Sequence, residues 1–549
     1  MKKALHIFLI LVTIFFITLI SVFLLIRTGL LSSYEDSPAL KEFFLIENSL
    51  SSTGFFVLIS IFLLFAILSV FLIIKINLFY VHLSSFFSYI GKACRTIWKD
   101  VKDPCALLIL LPPLISSVYF AIVLPISYDE ALTYVDFTNN PILYCISSYP
   151  YPNNHVFHSV ITHITKHLPF FDILFKLRIS SIIVSLSTWI IAYSFVKRFY
   201  SAKVALFSVA IASMLFMSVY YSYMSRGYAL VTLFFVISLY ASYNIIKYGS
   251  RNKDWVIFSI SNILGFYTMP SFLYPFLTLN LLILIYNYKN IKQQILFNLF
   301  ITFATLLCYM PIILHQGFGV LSITPGDRLG VLSLFPLFFR NTFNEIFGLY
   351  LPLTLLIIVV SFVIALVKRN KDILVLWMLF GAAPVILLAI HSVIPFPRTF
   401  IYYGFIVMFL IGITLSAYIE KVPKLVLTIV LLVLQVGLFF NFKNSIVEYE
   451  SFNIDFHDVS EKYIEEGKTF YILSGLNIES HKFEMMLRGY NYSKSKYDRI
   501  FIDFEDFRLV DTDTLKGNYD YIVIDKPWDR TVERKPVYSN KTLNVYTFN

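Results

Sequence analysis

Residues 104–126, PCALLILLPPLISSVYFAIVLPI, run directly into Ser127-Tyr128-Asp129-Glu130-Ala131-Leu132-Thr133-Tyr134. The first part carries no charge and is long enough to cross a bilayer core of about 30 Å as a helix. Lipid enforces the helix, because backbone amides there can find partners only within the segment. The second part sets two adjacent carboxylates where that helix leaves the lipid. Working outward, similar apolar runs recur, about thirteen by the same criterion. Their limits are 4–26, 53–78, 104–126, 173–195, 204–222, 229–246, 255–270, 272–286, 295–314, 350–367, 373–391, 400–418 and 424–441. The fold class is therefore an all-α polytopic membrane protein. Of the 549 residues, 58% are hydrophobic and 14% charged, against about 25% charged in soluble domains. Soluble enzymes, secreted disulfide scaffolds and DNA-binding domains are excluded.

Charge divides the chain further. Residues 1–440 hold 29 Lys+Arg and 15 Asp+Glu, whereas residues 441–549 hold 15 and 19. The acidic tail, with a helical stretch at Val459–Glu466 and short strands at Thr469–Leu473 and Tyr519–Ile524, predicts a small α/β domain over 442–549. Three parts follow: two helices and a basic loop over 1–103, a membrane core over 104–441, and this C-terminal domain. With the N-terminus in the cytoplasm, the inner loops collect about 20 of the 29 basic residues of the first part, the positive-inside pattern. That orientation predicts a multi-pass protein of the plasma (inner) membrane with its C-terminal domain outside. The apolar run after Met1-Lys2-Lys3 is too long for a signal peptide and reads as a retained helix. Cys94, Cys105, Cys145 and Cys308 form neither a disulfide framework nor a CxxC metal site.

Two outer segments, 127–172 and 315–349, are too long to be turns. On a helical wheel, Val156, Phe157, Val160, Ile161, Ile164 and Leu168 share one arc, and His155, His158, Ser159, Thr162, Thr165 and Lys166 the other. This predicts a helix lying in the interface with its apolar face down. Residues 129–138 predict a second short helix. His155, His158, His163 and His167 spread around the wheel, and no two have the i, i+4 relation of helical zinc pairs, so no metal site is expected. No cofactor is expected either, and a divalent cation is not indicated.

Asp129 and Glu130 could orient or deprotonate a hydroxyl. Their simpler reading is a solvated helix start, with Asp129 as N-cap and Glu130 in the first turn. Outer turns add Tyr151-Pro152-Asn153-Asn154-His155, then Tyr223-Met224-Ser225-Arg226-Gly227-Tyr228, and late in the chain Pro395-Phe396-Pro397-Arg398-Thr399-Phe400. Of nine basic residues near the outer side, six are arginine: Arg27, Arg178, Arg226, Arg328, Arg340 and Arg398. Guanidinium suits bidentate phosphate recognition, whereas lysine suffices for topology. Helix anchoring by snorkelling is the alternative for each.

The acidic pair in the first large outer loop, the interface helix and the outer arginines together resemble the GT-C superfamily of integral-membrane glycosyltransferases. Within it, the nearest groups are the protein O-mannosyltransferases and the bacterial aminoarabinose transferases of lipid A. The resemblance covers roughly residues 104–441. The first two spans precede the family's first helix, and the His-rich interface helix departs from its pattern. The resemblance implies transfer of a sugar from a polyprenyl-phosphate carrier to a glycolipid, protein or polysaccharide acceptor on the outer face. It makes Asp129 the general base of an inverting single displacement, with Glu130 orienting the acceptor. Arg226, Arg398 and Arg328 would meet the donor phosphate, and Tyr134, Asn154, His155 and Tyr228 would line the substrate pocket. Membrane lipids are partners, and nucleic acid is not. A polysaccharide polymerase or O-antigen ligase, centred on His315–Glu345, is the main rival. A transporter or flippase is disfavoured because no Asp or Glu stands in the middle of a span.

Overall fold

The computed structural model describes residues 2–35, 52–150, 152–317, 340–348, 351–391, 395–464, 470–473, 477–488, 520–526 and 535–547, with isolated positions between them. The membrane part contains α1 (Lys2–Arg27), α2 (Ser52–Ile74), α3 (Ile76–Val101), α4 (Pro104–Val123), α5 (Tyr128–Thr133), α6 (Ile142–Ser147), α7 (Val156–Thr165), α8 (Ile173–Phe199), α9 (Ala202–Ala212) and α10 (Phe216–Tyr223). There follow α11 (Tyr228–Tyr248), α12 (Asn252–Thr268), α13 (Leu273–Asn287), α14 (Ile291–Gln316), α15 (Arg340–Phe347), α16 (Leu351–Val367), α17 (Lys371–His391), α18 (Tyr403–Thr414) and α19 (Lys424–Tyr449). Beyond these lie α20 (Ser451–Tyr463) and α21 (Asn477–Leu487).

All the apolar runs are helical, but fewer count as full spans. Among the described residues, nine helices are long and apolar enough to cross a membrane, or up to eleven if each bent pair is one span. One of these pairs is α9 and α10, bent by 74°. The expectation of about thirteen is higher for two physical reasons. The α12 helix has only 17 residues. The 47-residue stretch Pro270–Gln316 registers as one span. Yet Asn280 Oδ1 accepts hydrogen bonds from Gln294 Nε2 at 3.0 Å and Asn298 Nδ2 at 2.7 Å. Along a straight helix those residues would lie roughly 20 Å or more apart, so α13 and α14 double back as a hairpin. Pro270 marks a true break as well. The Met269 backbone is extended there, and Gly265 has no Cβ to meet the Phe272 ring that folds onto it.

The core is packed chiefly by α8, α9, α11 and α18, with α4 and α19 alongside. At Gly412 of α18 an added Cβ would lie 2.6 Å from Ser208 Oγ of α9, so glycine permits that close helix approach. The bundle has two chemically distinct ends, which α8 joins. Near its C-terminus Ser194 donates to Asp100 at 2.7 Å and Lys197 pairs with Asp100 at 3.2 Å, while Lys424 pairs with the adjacent Asp103. Near its N-terminus stands Arg178. The two N-terminal spans pack on each other and remain mostly uncovered by the rest of the chain.

The C-terminal part carries a four-stranded sheet of β1 (Phe470–Leu473), β2 (Tyr521–Asp525), β3 (Tyr538–Ser539) and β4 (Leu543–Thr547), ordered β1-β2-β4-β3. The β1–β2 pair is parallel and the others antiparallel. Phe456 and Val459 of α20 pack with Val523, Leu543 and Val545. The helix expected over Val459–Glu466 thus begins earlier, at Ser451, and ends at Tyr463.

Candidate active site

The acidic helix α5 forms because Ser127 and Glu130 close a capping box. Ser127 Oγ accepts the Glu130 N–H at 3.3 Å, and Glu130 Oε2 accepts the Ser127 N–H at 3.1 Å. The cap is therefore Ser127 and not Asp129. A π-turn, Tyr134–Thr138, extends the helix, so the short helix expected over 129–138 is present.

The two carboxylates part company. Glu130 points inward and meets Arg178, with Nη2 to Oε2 at 2.6 Å and Nε to Oε1 at 3.0 Å. Both side chains are 0% exposed. Glu130 Oε1 also accepts the Ser225 N–H at 2.7 Å. Arg178 spends its remaining N–H groups on the carbonyls of Ala121, Leu124 and Pro125, closing the end of α4. The expected acceptor-orienting role of Glu130 thus meets a saturated, buried group, which anchors the loop instead.

Asp129 turns the other way. Its side chain is 23% exposed, and Oδ2 lies 3.1 Å from Arg398 Nη1. Arg398 stands on the 3₁₀ turn Pro397–Phe400 that opens α18. Its guanidinium lies over the rings of Phe396, at 4.7 Å, and Tyr228, at 5.9 Å. Arg398 Nε has no hydrogen-bond partner among the described residues.

Arg226, expected at a donor phosphate, is 2% exposed. Its Nη1 donates to the carbonyls of Asp129 at 3.2 Å and Asn153 at 3.1 Å, and to Thr133 Oγ1. It ties α5 to the loop before α7, and its Nε has no hydrogen-bond partner among the described residues. Arg328 lies outside the described residues.

His155 packs beside Arg226. Its Nδ1 accepts the Gly227 N–H at 2.9 Å, so the neutral ring carries its proton on Nε2, 3.5 Å from Arg226 Nη2. Burial, then the Arg226 charge, holds His155 well below its ordinary value. A Cβ on Gly227 would lie 2.8 Å from His155 Cβ and 2.7 Å from Thr268 Cγ2, which explains glycine there. The same two forces hold His158 at about 3, and neither of its ring nitrogens has a partner among the described residues. Both histidines are neutral. No group of three or more His, Cys, Asp or Glu among the described residues is placed to hold a metal ion.

Three other expected pocket residues resolve differently. Asn154 is buried, donating to the carbonyls of Cys145 and Ser148 and accepting from Ser159, so it staples α6 to α7. Tyr134 packs edge-on against Phe483 of α21 at 5.5 Å and belongs to the C-terminal domain's docking surface. Tyr228 does border the site, between Arg398, His155 and Tyr221. The interface helix is covered by protein on both sides, where one lipid-facing and one solvated side were expected. His158, Ser159 and Thr162 are buried while Ile164 is exposed. Thr162 and His163 reach Thr138, so the polar side stitches the site loop together, while Val156 is buried and Phe157 and Ile161 pack against the core on the apolar side.

Sequence reasoning missed several groups around Asp129. Glu450 is buried, accepting from Tyr220 OH and Asn453 Nδ2, and burial raises its carboxyl above the ordinary value despite those bonds. Asn453 Oδ1 accepts the Tyr128 N–H at 3.1 Å, joining α20 to the acidic helix. Beside Arg398, Tyr449 OH donates to Glu345 Oε1 at 3.4 Å. These two line a cavity of about 530 Å³, with Asn344, Asn441 and Glu448 polar and Leu438 and Phe442 apolar. Their signal was present only as carboxylates and amides flanking helix ends.

The sequence matches no protein-family model and no curated protein. In three dimensions it is similar to the crystal structure of ArnT from Cupriavidus metallidurans in the apo state. The TM-score is 0.55 at 11% identity, over 80% of this chain and 97% of that one. The chain shares the fold of that structure. The resemblance read from the acidic loop therefore extends to the architecture. Beyond that shared fold the chain adds length, since a fifth of it lies outside the match.

Proposed function

We propose that this protein is a membrane glycosyltransferase that moves a sugar from a polyprenyl-phosphate carrier to an acceptor at the outer membrane face. The observation that supports it is the division of labour in the acidic pair. Glu130 is locked to Arg178, while Asp129 stays partly open and faces a single guanidinium. A partly open carboxylate beside a cation suits proton removal coupled to departure of a phosphate.

In this reading the acceptor's hydroxyl or amine loses its proton to Asp129 as its oxygen or nitrogen bonds to the sugar's anomeric carbon. The bond from that carbon to the phosphate oxygen breaks, and its electron pair leaves with the polyprenyl phosphate. Arg398 meets the phosphate charge with N–H groups including the unpartnered Nε. Displacement in one step inverts the anomeric centre. Tyr228 and Tyr221, both buried, form an aromatic backing beside Arg398. The cavity bounded by Glu345 and Tyr449, polar at one side and apolar at the other, suits a membrane-embedded amphiphile. The inner (plasma) membrane, with the N-terminus cytoplasmic and the C-terminal domain outside, completes the reading through the positive-inside pattern.

The test is transfer from radiolabelled polyprenyl-phosphate sugars by purified protein in lipid. Label moved to a lipid or protein acceptor supports the reading. No transfer from any such donor, alongside elongation of lipid-linked polysaccharide, would favour the polymerase or ligase alternative.

A further inference from the structure

At the end of the bundle opposite Asp129 lies a second cavity, of about 380 Å³, between α3 and the first turn of α12. Helical spacing brings Ser84, Ser85, Ser88 and Lys92 onto one strip of α3. Lys253 enters from α12 and donates to Ser85 Oγ at 2.8 Å. Tyr89 completes the wall, with the Lys253 ammonium 5.7 Å from its ring centre.

The carboxylate nearest this cavity is already committed. Asp254 is 0% exposed and accepts from Tyr89 OH and from Arg251 Nε, the latter at 2.8 Å. Among the described residues, no carboxylate pairs with Lys92 or Lys253. Two ammonium groups, three serine hydroxyls able to donate and no competing anion make a cationic, donor-rich surface. Lysine binds phosphate as a point charge, and hydroxyls complete the oxygen shell. The other face of α3 carries Phe79, Leu83, Phe86 and Ile90, with Phe87 and Trp98 exposed beside them. A helix with one apolar strip and one lysine-and-serine strip lies where lipid gives way to water.

We infer that this cavity binds a phosphate group, from an anionic phospholipid headgroup or from free phosphate. The site stands apart from the proposed transfer chemistry, so its test needs no turnover.

Native mass spectrometry of the full-length protein would titrate phosphatidylglycerol, with phosphatidylethanolamine as control and inorganic phosphate as competitor. Wild type should retain phosphatidylglycerol, and Lys92→Ala/Lys253→Ala should weaken retention about tenfold. Lys289→Ala/Lys292→Ala, elsewhere among the expected inner loops, should leave it unchanged. Displacement by inorganic phosphate assigns the site to free phosphate, and resistance assigns it to the headgroup; either supports an anion site. Retention by Lys92→Ala/Lys253→Ala equal to wild type, with its thermal midpoint unchanged, would overturn the inference.

Discussion

Glu130 and Arg178 form a two-pronged ion pair in which neither side chain touches solvent. Removing one partner of such a pair leaves a buried charge and typically costs about 3–5 kcal/mol. Arg178→Ala should therefore lower the thermal midpoint of the purified protein sharply, and Glu130→Leu/Arg178→Met should recover part of the loss. An unchanged midpoint for Arg178→Ala would remove the anchor from the account.

Arg398 carries the phosphate side of the proposal. Arg398→Lys keeps the charge but loses the planar fork and the Nε donor. Donor use should weaken, with KM for the lipid-linked sugar rising and the fold intact. Arg226→Ala, in contrast, should lower stability, because its Nη1 joins the Asp129 and Asn153 carbonyls and Thr133 Oγ1.

Asn453 links the C-terminal domain to the acidic helix through the Tyr128 N–H. A hydrogen bond of this kind contributes about 1 kcal/mol. Asn453→Ala should lower kcat about fivefold while far-ultraviolet circular dichroism stays the same. Loss of helix signal would assign Asn453 to folding instead.

The docking of α20 and α21 should depend on pH. The Glu484 carboxylate, bonded at 2.8 Å, raises His457 above its ordinary 6.5. Burial alone would raise Glu484, but bonds from His457 and Arg488 outweigh it and hold Glu484 below 4.5. The raised histidine adds stability that is full below 6.5 and fades as pH rises through its folded value. The lowered carboxylate adds stability that is full above 4.5 and fades as pH falls through its folded value. Amide protection of α21, corrected for intrinsic exchange, should be greater at about pH 5.5 than at about pH 8. His457→Asn should remove the difference.

Hydropathy made the helices legible, since lipid imposes length and apolarity on each span separately. The acidic helix was legible too, although its cap was read as Asp129 where Ser127 and Glu130 close a capping box. What stayed hidden depends on distant partners. Glu130 meets Arg178 48 positions away, and Tyr128 meets Asn453 325 positions away. No local pattern separates Asp129 from its neighbour until Arg178 claims one and Arg398 the other. The interface helix was covered on both sides for a related reason. Its wheel gives two faces, and distant partners bury both, Thr138 on the polar side and Phe234 on the apolar one.

The central claim concerns the Asp129 carboxylate, and turnover of Asp129→Asn with a lipid-linked sugar donor tests it most directly. The amide keeps the shape but cannot take a proton, and loss of a general base costs about 10²–10⁴-fold. The account predicts a loss of that size at matched expression and unchanged thermal midpoint. Near-full activity of Asp129→Asn, alongside an inactive Glu345→Gln, would contradict it and move the chemistry to α15.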